Sequence, residues 1–574
     1  NAALQFATGG VVLYLNNDAE LAPGAIAAAL HRLETDPKVG AVGGLILRTN
    51  GLVQEAGNII YCDGSTLGYG RDATPLTPEM NFSRDVEFCS GVFLMARRSL
   101  LNQLGGFDEA FVPAYYEDAD LCLRIRQAGY RVIYDPAVVV HHLEYGSAVS
   151  NRASEAAIGR ARQIFAEKHA AYVSGRPPRD ERRQVFDRMA DTHRKRLLFV
   201  EDTVPLRMIG SGFVRSNDIV REMASLAYAI TVYPINGCPF DLASVYSDMP
   251  DGVEVMHDCS TEQFQAFLAL RRGYYDTIWV ARTHNLGTVR AALEQVSLDP
   301  ETGEPAGMPP VVLDTEAIAS LRACGQAGLT GQSFDLDTAI RSELRDGRFC
   351  STIVATNDLE ASVLRDLEFP NVVVIGHVRE PRATLLPFPQ RAGMLFVGAI
   401  HRMDSPNYDG LCWFIDEVVP LIERELAWET RLTVVGYTGA EVSLDRFRDH
   451  PRVTLRGSVS DLEPLYDQHR VFVAPTRFAA GMPYKVHEAA SFGLPVVATE
   501  LLRRQLGWTD GNELLAAEAT DPAAFARHVV ALQRDEGLWH CLRDSALHRL
   551  HRDNNRADYA AAISGVLGPP HSDR

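Results

Sequence analysis

Three clusters of residues have the types and spacing for chemistry. Asn16-Asn17-Asp18 follows the strand-like run Gly10–Leu15. Short oxygen ligands at the carboxyl edge of a sheet sit where open α/β folds bind ligands. One carboxylate together with phosphate oxygens can hold Mg²⁺ or Mn²⁺. The tripeptide alone also reads as a turn, because Asn and Asp close strands. Glu117 and Asp118, in Tyr115-Tyr-Glu-Asp-Ala-Asp120, are adjacent acids that suit proton removal, or the start of a helix through its dipole. His141 and His142 lie beyond them, in Val140–Ser147. In the third cluster, Pro475–Ala498, a Gly-rich loop feeds a helix carrying Lys485 and Glu488. Backbone N–H groups at such a helix start, with a lysine ammonium, suit a diphosphate, and a carboxylate suits ribose hydroxyls. Both side chains are expected to face solvent in a cleft.

The first set, with Gly105-Gly-Phe-Asp-Glu109 between its parts, resembles the catalytic half of an inverting family-2 glycosyltransferase of GT-A fold. That resemblance implies that Asp18 binds a metal bridging the donor diphosphate, with Asn16 beside it and His142 as a further ligand. It implies Asp118 as the base, with Glu117 sharing or tuning that role. Gly91, in Phe88-Cys-Ser-Gly-Val-Phe93, resembles the family's small residue near the sugar pocket. The family's base-binding strands precede the position where this chain starts, so the domain is expected to be N-terminally incomplete.

From about residue 196 the chain resembles a GT-B glycosyltransferase, its last part similar to family 4, whose members need no metal. Gly210-Ser-Gly-Phe-Val-Arg215, Phe396–Asp409 and Pro475–Ala498 carry this resemblance. It implies donor contacts from Gly212, Arg402, Lys485 and Glu488. His284, after the strand Thr277–Ala281, is expected to project toward the donor sugar as a catalytic residue. The family pattern has a second glutamate eight positions before Glu488, where this chain has Ala480. Backbone around Gly481 or Met482 is expected to supply part of that support.

These residues need a scaffold, and the order of segments outlines one. Residues 1–150 alternate strands and a helix (Val11–Leu15, 23–35, Val39–Leu47), and 151–195 are Arg-rich and read as a solvated helical connector. Further strands are expected at Arg196–Asp202, Ala229–Tyr233, Thr277–Ala281, Val311–Asp314, Thr352–Ala355 and Val372–Ile375. A second series starts at Gly393–Gly398 and continues at Arg431–Gly436, Arg470–Ala474 and Leu494–Ala498. The expected fold is α/β throughout: a partial GT-A domain (1–150), the connector (151–195), and a GT-B pair of Rossmann-like domains (196–385 and 386–574).

Composition bounds the partners. The 574 residues are 46 % apolar and 23 % charged, an ordinary globular balance. With 74 acids against 56 bases the chain lacks the basic footprint of a nucleic-acid binder. Nine scattered cysteines without C-x-x-C spacing suit reduced thiols and a cytoplasmic protein. The expected partners are a nucleotide-sugar donor and a glycan or lipid-linked glycan acceptor, with peripheral membrane contact at the inner face. The expected function is sugar transfer in bacterial surface polysaccharide synthesis. Two alternatives stay open: activity of the GT-B half alone with a docking GT-A part, and a non-catalytic glycan- or nucleotide-binding scaffold.

Overall fold

The computed structural model describes residues 1–143, 151–191, 193–298, 307–426 and 431–568. Residues 144–147 of the histidine motif and the tail 572–574 lie outside the described residues. Contacts divide the chain into two units, one of Asn1–Leu198 with Ala227–Asp276, the other of Phe199–Leu226 with Thr277–Ser572.

The first unit is built on a mixed sheet in the order Val11–Leu15, Phe93–Arg97, Val39–Arg48, Arg131–His142, Ala19–Leu21. Val39–Arg48 is buried along nearly its whole length, as a central strand covered on both faces must be. Its side chains alternate, with Ala41, Leu45 and Leu47 in one core and Val42 and Ile46 in the other. The helix Ala25–Thr35 buries Ala25, Ala29 and Leu33, spaced by four, against the second core. Burying a leucine such as Leu33 contributes about 2 kcal/mol.

The expected connector is helical and largely exposed, but one face of it is not solvated. Ala161, Phe165 and Val173 join the first core, and Arg188 is 2 % exposed. Its Arg content hid three apolar positions on helical faces. The segment 227–276, expected in the GT-B half, groups with the first unit. There Glu254 accepts bidentate bonds from Arg188 at 2.8 and 2.8 Å and from Arg271 at 2.6 and 2.8 Å. Arg271 also meets Glu79 at 3.0 Å. Burial pushes the Glu254 carboxyl up, but the two guanidinia outweigh it and hold it well below the usual range.

In the second unit, Thr277–Ala281, Val311–Asp314, Thr352–Ala355 and Val372–Val374 are successive parallel strands of one sheet. A six-stranded parallel sheet follows in the order Val453–Gly457, Leu432–Val435, Met394–Val397, Val471–Ala474, Val496–Thr499, Leu515–Ala517. Both faces of it are covered: Phe396, Val434, Val473 and Val497 enter one core, and Leu395, Val435, Phe472 and Val496 the other. That is the doubly wound, Rossmann-like arrangement. All nine cysteines are free thiols. Among the described residues no helix is long and apolar enough to cross a membrane.

Candidate functional site

The strand Ala19–Leu21 pairs antiparallel with the end of Arg131–His142, setting Ala19 opposite His142. This register delivers Asp18 and Asn16 to one histidine. His142 Nε2 lies 3.2 Å from Asp18 Oδ1 and 3.4 Å from Asn16 Nδ2. Its other ring nitrogen, Nδ1, meets Gln54 Oε1 at 2.9 Å. With Nδ1–H donated to that oxygen, Nε2 presents its lone pair to a carboxylate. Among the described residues no three His, Cys, Asp or Glu side chains cluster as ligands. Asp18, His142 and Asn16 bring together a carboxylate, an imidazole and an amide, chemical types that a divalent cation accepts as ligands.

The helix Glu117–Gln127 starts after two non-glycine residues in the left-handed region, Tyr115 at φ 78° and Tyr116 at φ 69°. Such conformations store strain and cluster at functional sites. Here they turn the chain so that Glu117 and Asp118 open the helix. Asp118 Oδ2 accepts the Gly91 N–H at 2.8 Å, and Oδ1 accepts the Ala119 N–H at 2.8 Å. Burial nevertheless pushes its carboxyl above the usual range. Glu117 is pushed up to about 7 by burial and then by the charge of Asp118. A Cβ on Gly91 would stand 3.9 Å from Asp118, an ordinary contact, so the N–H rather than missing bulk ties this glycine to the acid.

A cavity of about 580 Å³ is lined by Asn16, Glu55, Ser90, Gly91, Glu117 and Asp118. Glu55, on the strand Val53–Ala56, is buried, and that burial, reinforced by Asp118, lifts it to about 7. Sequence reasoning missed this third acid. Its signal was a charge inside the apolar stretch Leu52–Ile60.

In the second unit, Lys485 and Glu488 share the helix Tyr484–Ser491. The expectation that they face open solvent is corrected, for both are half-buried. The Lys485 ammonium donates to Asn407 Oδ1 and to Thr476 Oγ1, the latter at 3.3 Å, and lies 5.3 Å from the Phe396 ring centre. Burial pushes its amine down to about 8. Glu488 accepts from the Tyr466 hydroxyl at 2.9 Å and lies 3.7 Å from Arg379, and burial raises its carboxyl. Arg379, which sequence reasoning also missed, further donates to Ser491 and Tyr484.

Gly481, beside Ala480, has φ +79°, and a Cβ there would come within 2.9 Å of the Glu316 carbonyl oxygen. Only glycine fits this turn without strain. His284 lies in the first turn of the helix Thr283–Val296, its Nε2 2.7 Å from Asp202 Oδ1. The Asp202 hydrogen bond raises the imidazole above its usual range. Gly212 gives its carbonyl to Arg282 at 2.9 Å, and Arg282 pairs with Asp202 at 3.1 Å. Thus one arginine links the elements that carry Gly212 and His284. Arg402 is 77 % exposed and paired with Asp404 at 2.6 Å. None of its hydrogen bonds or ion pairs among the described residues is to Lys485 or Glu488, and Lys485's partner Asn407 follows it by five residues.

Residues 1–166 match Glycosyltransferase like family 2, and residues 391–535 match Glycosyl transferases group 1. The chain thus carries two separate segments, each similar to a glycosyltransferase family. It is 31 % identical over 177 residues to N-acetylglucosaminyl-diphospho-decaprenol L-rhamnosyltransferase of Mycobacterium tuberculosis, covering 28 % of this chain and 56 % of that protein. It is 32 % identical over 149 residues to the O-antigen biosynthesis protein RfbC of Myxococcus xanthus, covering 25 % and 12 %. The chain spans about half the length, or less, of these curated relatives. Among solved structures, Anabaena Alr3699/HepE in complex with UDP and glucose is 13 % identical, with a TM-score of 0.48 over 65 % of this chain and 99 % of that one.

Proposed function

We propose that the chain transfers sugars from nucleotide-sugar donors to a glycan acceptor in surface polysaccharide synthesis, with one candidate site in each unit. The observation that carries this reading is the environment of Lys485. Its ammonium is half-buried among an amide oxygen, a hydroxyl and an aromatic ring. A cation held by neutral groups is poised for an anion, and a donor diphosphate supplies one. Glu488, three residues further along the same helix, suits the ribose hydroxyls. His284, positioned by Asp202, is the candidate catalytic group of this half.

In the first unit, Asp118 is the proposed base: its carboxylate takes the acceptor hydroxyl proton as that oxygen attacks the anomeric carbon and the bond to the diphosphate breaks. Burial raises both the Asp118 and the Glu117 carboxyls, the latter to about 7, and shifted acids gathered at one cavity support a proton-transfer role. Asp18, His142 and Asn16 would hold Mg²⁺ or Mn²⁺, which neutralises charge on a leaving diphosphate when bound. The M. tuberculosis relative is named for rhamnosyl transfer to a lipid-linked acceptor, which favours an acceptor at a membrane face.

Release of nucleoside diphosphate from UDP-, GDP- and dTDP-sugars, measured with glycan acceptors in Mn²⁺ or in EDTA, tests both halves. The expected result is EDTA-resistant release from the second unit and an added Mn²⁺-dependent component from the first. Acceptor-independent nucleotide binding without release from any donor would favour a scaffold instead.

A further inference from the structure

The second unit contains another cavity, of about 410 Å³, within the size range of small-molecule pockets. Gly212, His284, Arg402, Lys485 and Glu488 are not among its lining residues. His377 enters its wall just past the strand Val372–Val374, and His487 from the helix Tyr484–Ser491. Gln505 comes from Glu500–Leu506, Tyr559 from Arg556–Leu567, and Trp508 packs its ring 5.6 Å from that of His487.

Four of these side chains carry buried polar atoms with no hydrogen-bond partner in the protein: His377 Nδ1, His487 Nδ1, Gln505 Oε1 and Tyr559 Oη. Their residues are 7, 2, 7 and 6 % exposed. Native interiors leave few such atoms unsatisfied, so four around one void point to an occupant. The first site shares this feature in one atom, Glu117 Oε2, which is buried without a hydrogen-bond partner at its cavity.

The chemistry of the wall selects the occupant. Burial drives His377 well below its usual range and His487 down to about 4, so both imidazoles are neutral. Each neutral ring nitrogen donates or accepts according to tautomer, the amide oxygen accepts, and the phenol donates. The cavity's guanidinia are engaged already, Arg504 with Glu500 at 2.8 Å and Arg549 with Asp553. An anion would find no free cation here, and an apolar ligand would leave all four atoms unmet. Hydroxyl groups, each both donor and acceptor, satisfy them.

We propose that this cavity is a second carbohydrate site, binding one neutral sugar ring, free or as a unit of a glycan, through Tyr559, Gln505, His377 and His487. It is separate from the donor contacts of Lys485 and Glu488, although His487 shares their helix.

Saturation-transfer NMR on the full chain tests this with D-glucose, D-galactose, L-rhamnose and N-acetylglucosamine, and with oligosaccharides ending in each. The expected result is transfer to at least one sugar that persists with excess UDP and in Lys485→Ala. That transfer should fall about fivefold or more in Tyr559→Phe and in Gln505→Leu. A free monosaccharide giving the signal identifies a simple sugar as sufficient; signal from oligosaccharides alone assigns the cavity to a glycan unit. Tyr559→Phe keeps the ring and removes an unpartnered hydroxyl, so its thermal midpoint should not drop and misfolding cannot imitate the loss. The proposal is overturned if no sugar in either series shows transfer, if UDP abolishes it, or if both variants bind as the parent does.

Discussion

Glu360 Oε1 accepts the backbone N–H of Gly481 at 2.8 Å and that of Ile318 at 3.1 Å. Asn357 completes the clamp by donating to the Gly481 carbonyl at 3.1 Å. One buried carboxylate thus fixes the turn that precedes the Lys485 helix, next to the position where the family pattern has an acid and this chain has Ala480.

Replacing Glu360 by alanine leaves two buried N–H groups unsatisfied. The expected cost is about 2–4 kcal/mol, read as a lower urea midpoint. Glu360→Gln keeps an acceptor and should lose less. Equal midpoints for the parent and Glu360→Ala would show that this clamp is not part of the fold's stability.

Lys485→Ala should weaken UDP, GDP or dTDP binding by about tenfold or more, measured by calorimetry, because a charged hydrogen bond is worth roughly 1.5–3 kcal/mol. The unfolding midpoint should hold, since a half-buried ammonium among neutral groups is costly by itself. The amine sits near 8, so it is charged below that pH and neutral above it. Affinity should therefore fall as pH rises through about 8, and the fall should vanish in Lys485→Ala.

Asp18→Ala and His142→Ala should each abolish the Mn²⁺-dependent part of nucleotide release and leave the EDTA-resistant part intact. Mn²⁺ binding followed by electron paramagnetic resonance should weaken in parallel. Full Mn²⁺ binding in both variants would remove the pair from the metal site.

Glu55 and Glu117 give the first unit a pH signature. Each carboxyl titrates near 7 in the folded chain against an ordinary 4.5, so between those values the folded state holds protons that the unfolded chain has released. Stability is then greatest below about 4.5 for these groups and declines as pH rises toward 7. Glu55→Gln, neutral throughout, should flatten the decline in thermal midpoint over that window.

Glu254→Gln should destabilise the first unit by about 3–5 kcal/mol, because it strands the guanidinia of Arg188 and Arg271 without their shared counter-charge. Differential scanning calorimetry reads this directly. A midpoint unchanged from the parent would mean that water or another acid compensates them.

Strands that are short, apolar and central were legible from the sequence. Thr277–Ala281, Val311–Asp314 and Thr352–Ala355 occur where their β-branched runs predict. Edge strands were not: Val453–Gly457 is half-exposed and Leu515–Ala517 is three residues long, so neither has a clear period. The antiparallel placement of Phe93–Arg97 was also hidden, since its burial pattern is that of any covered strand. In the candidate sites, Asp18, Asp118 and Lys485 stand out in the sequence because their neighbours form motifs. Glu55, Glu360 and Arg379 do not, because each acts through a partner distant in sequence: Gly481, for instance, is 121 positions from Glu360.

The polypeptide passes between its two units at 198/199, again at 226/227, and a third time at 276/277. No single scission separates them. A fragment stopped at residue 195, where the sequence alone suggests a seam, retains Arg188 and discards Glu254, its buried counter-ion. Such a fragment carries a guanidinium shaped for a carboxylate it no longer has, so a cut made at the apparent seam falls inside a folding unit.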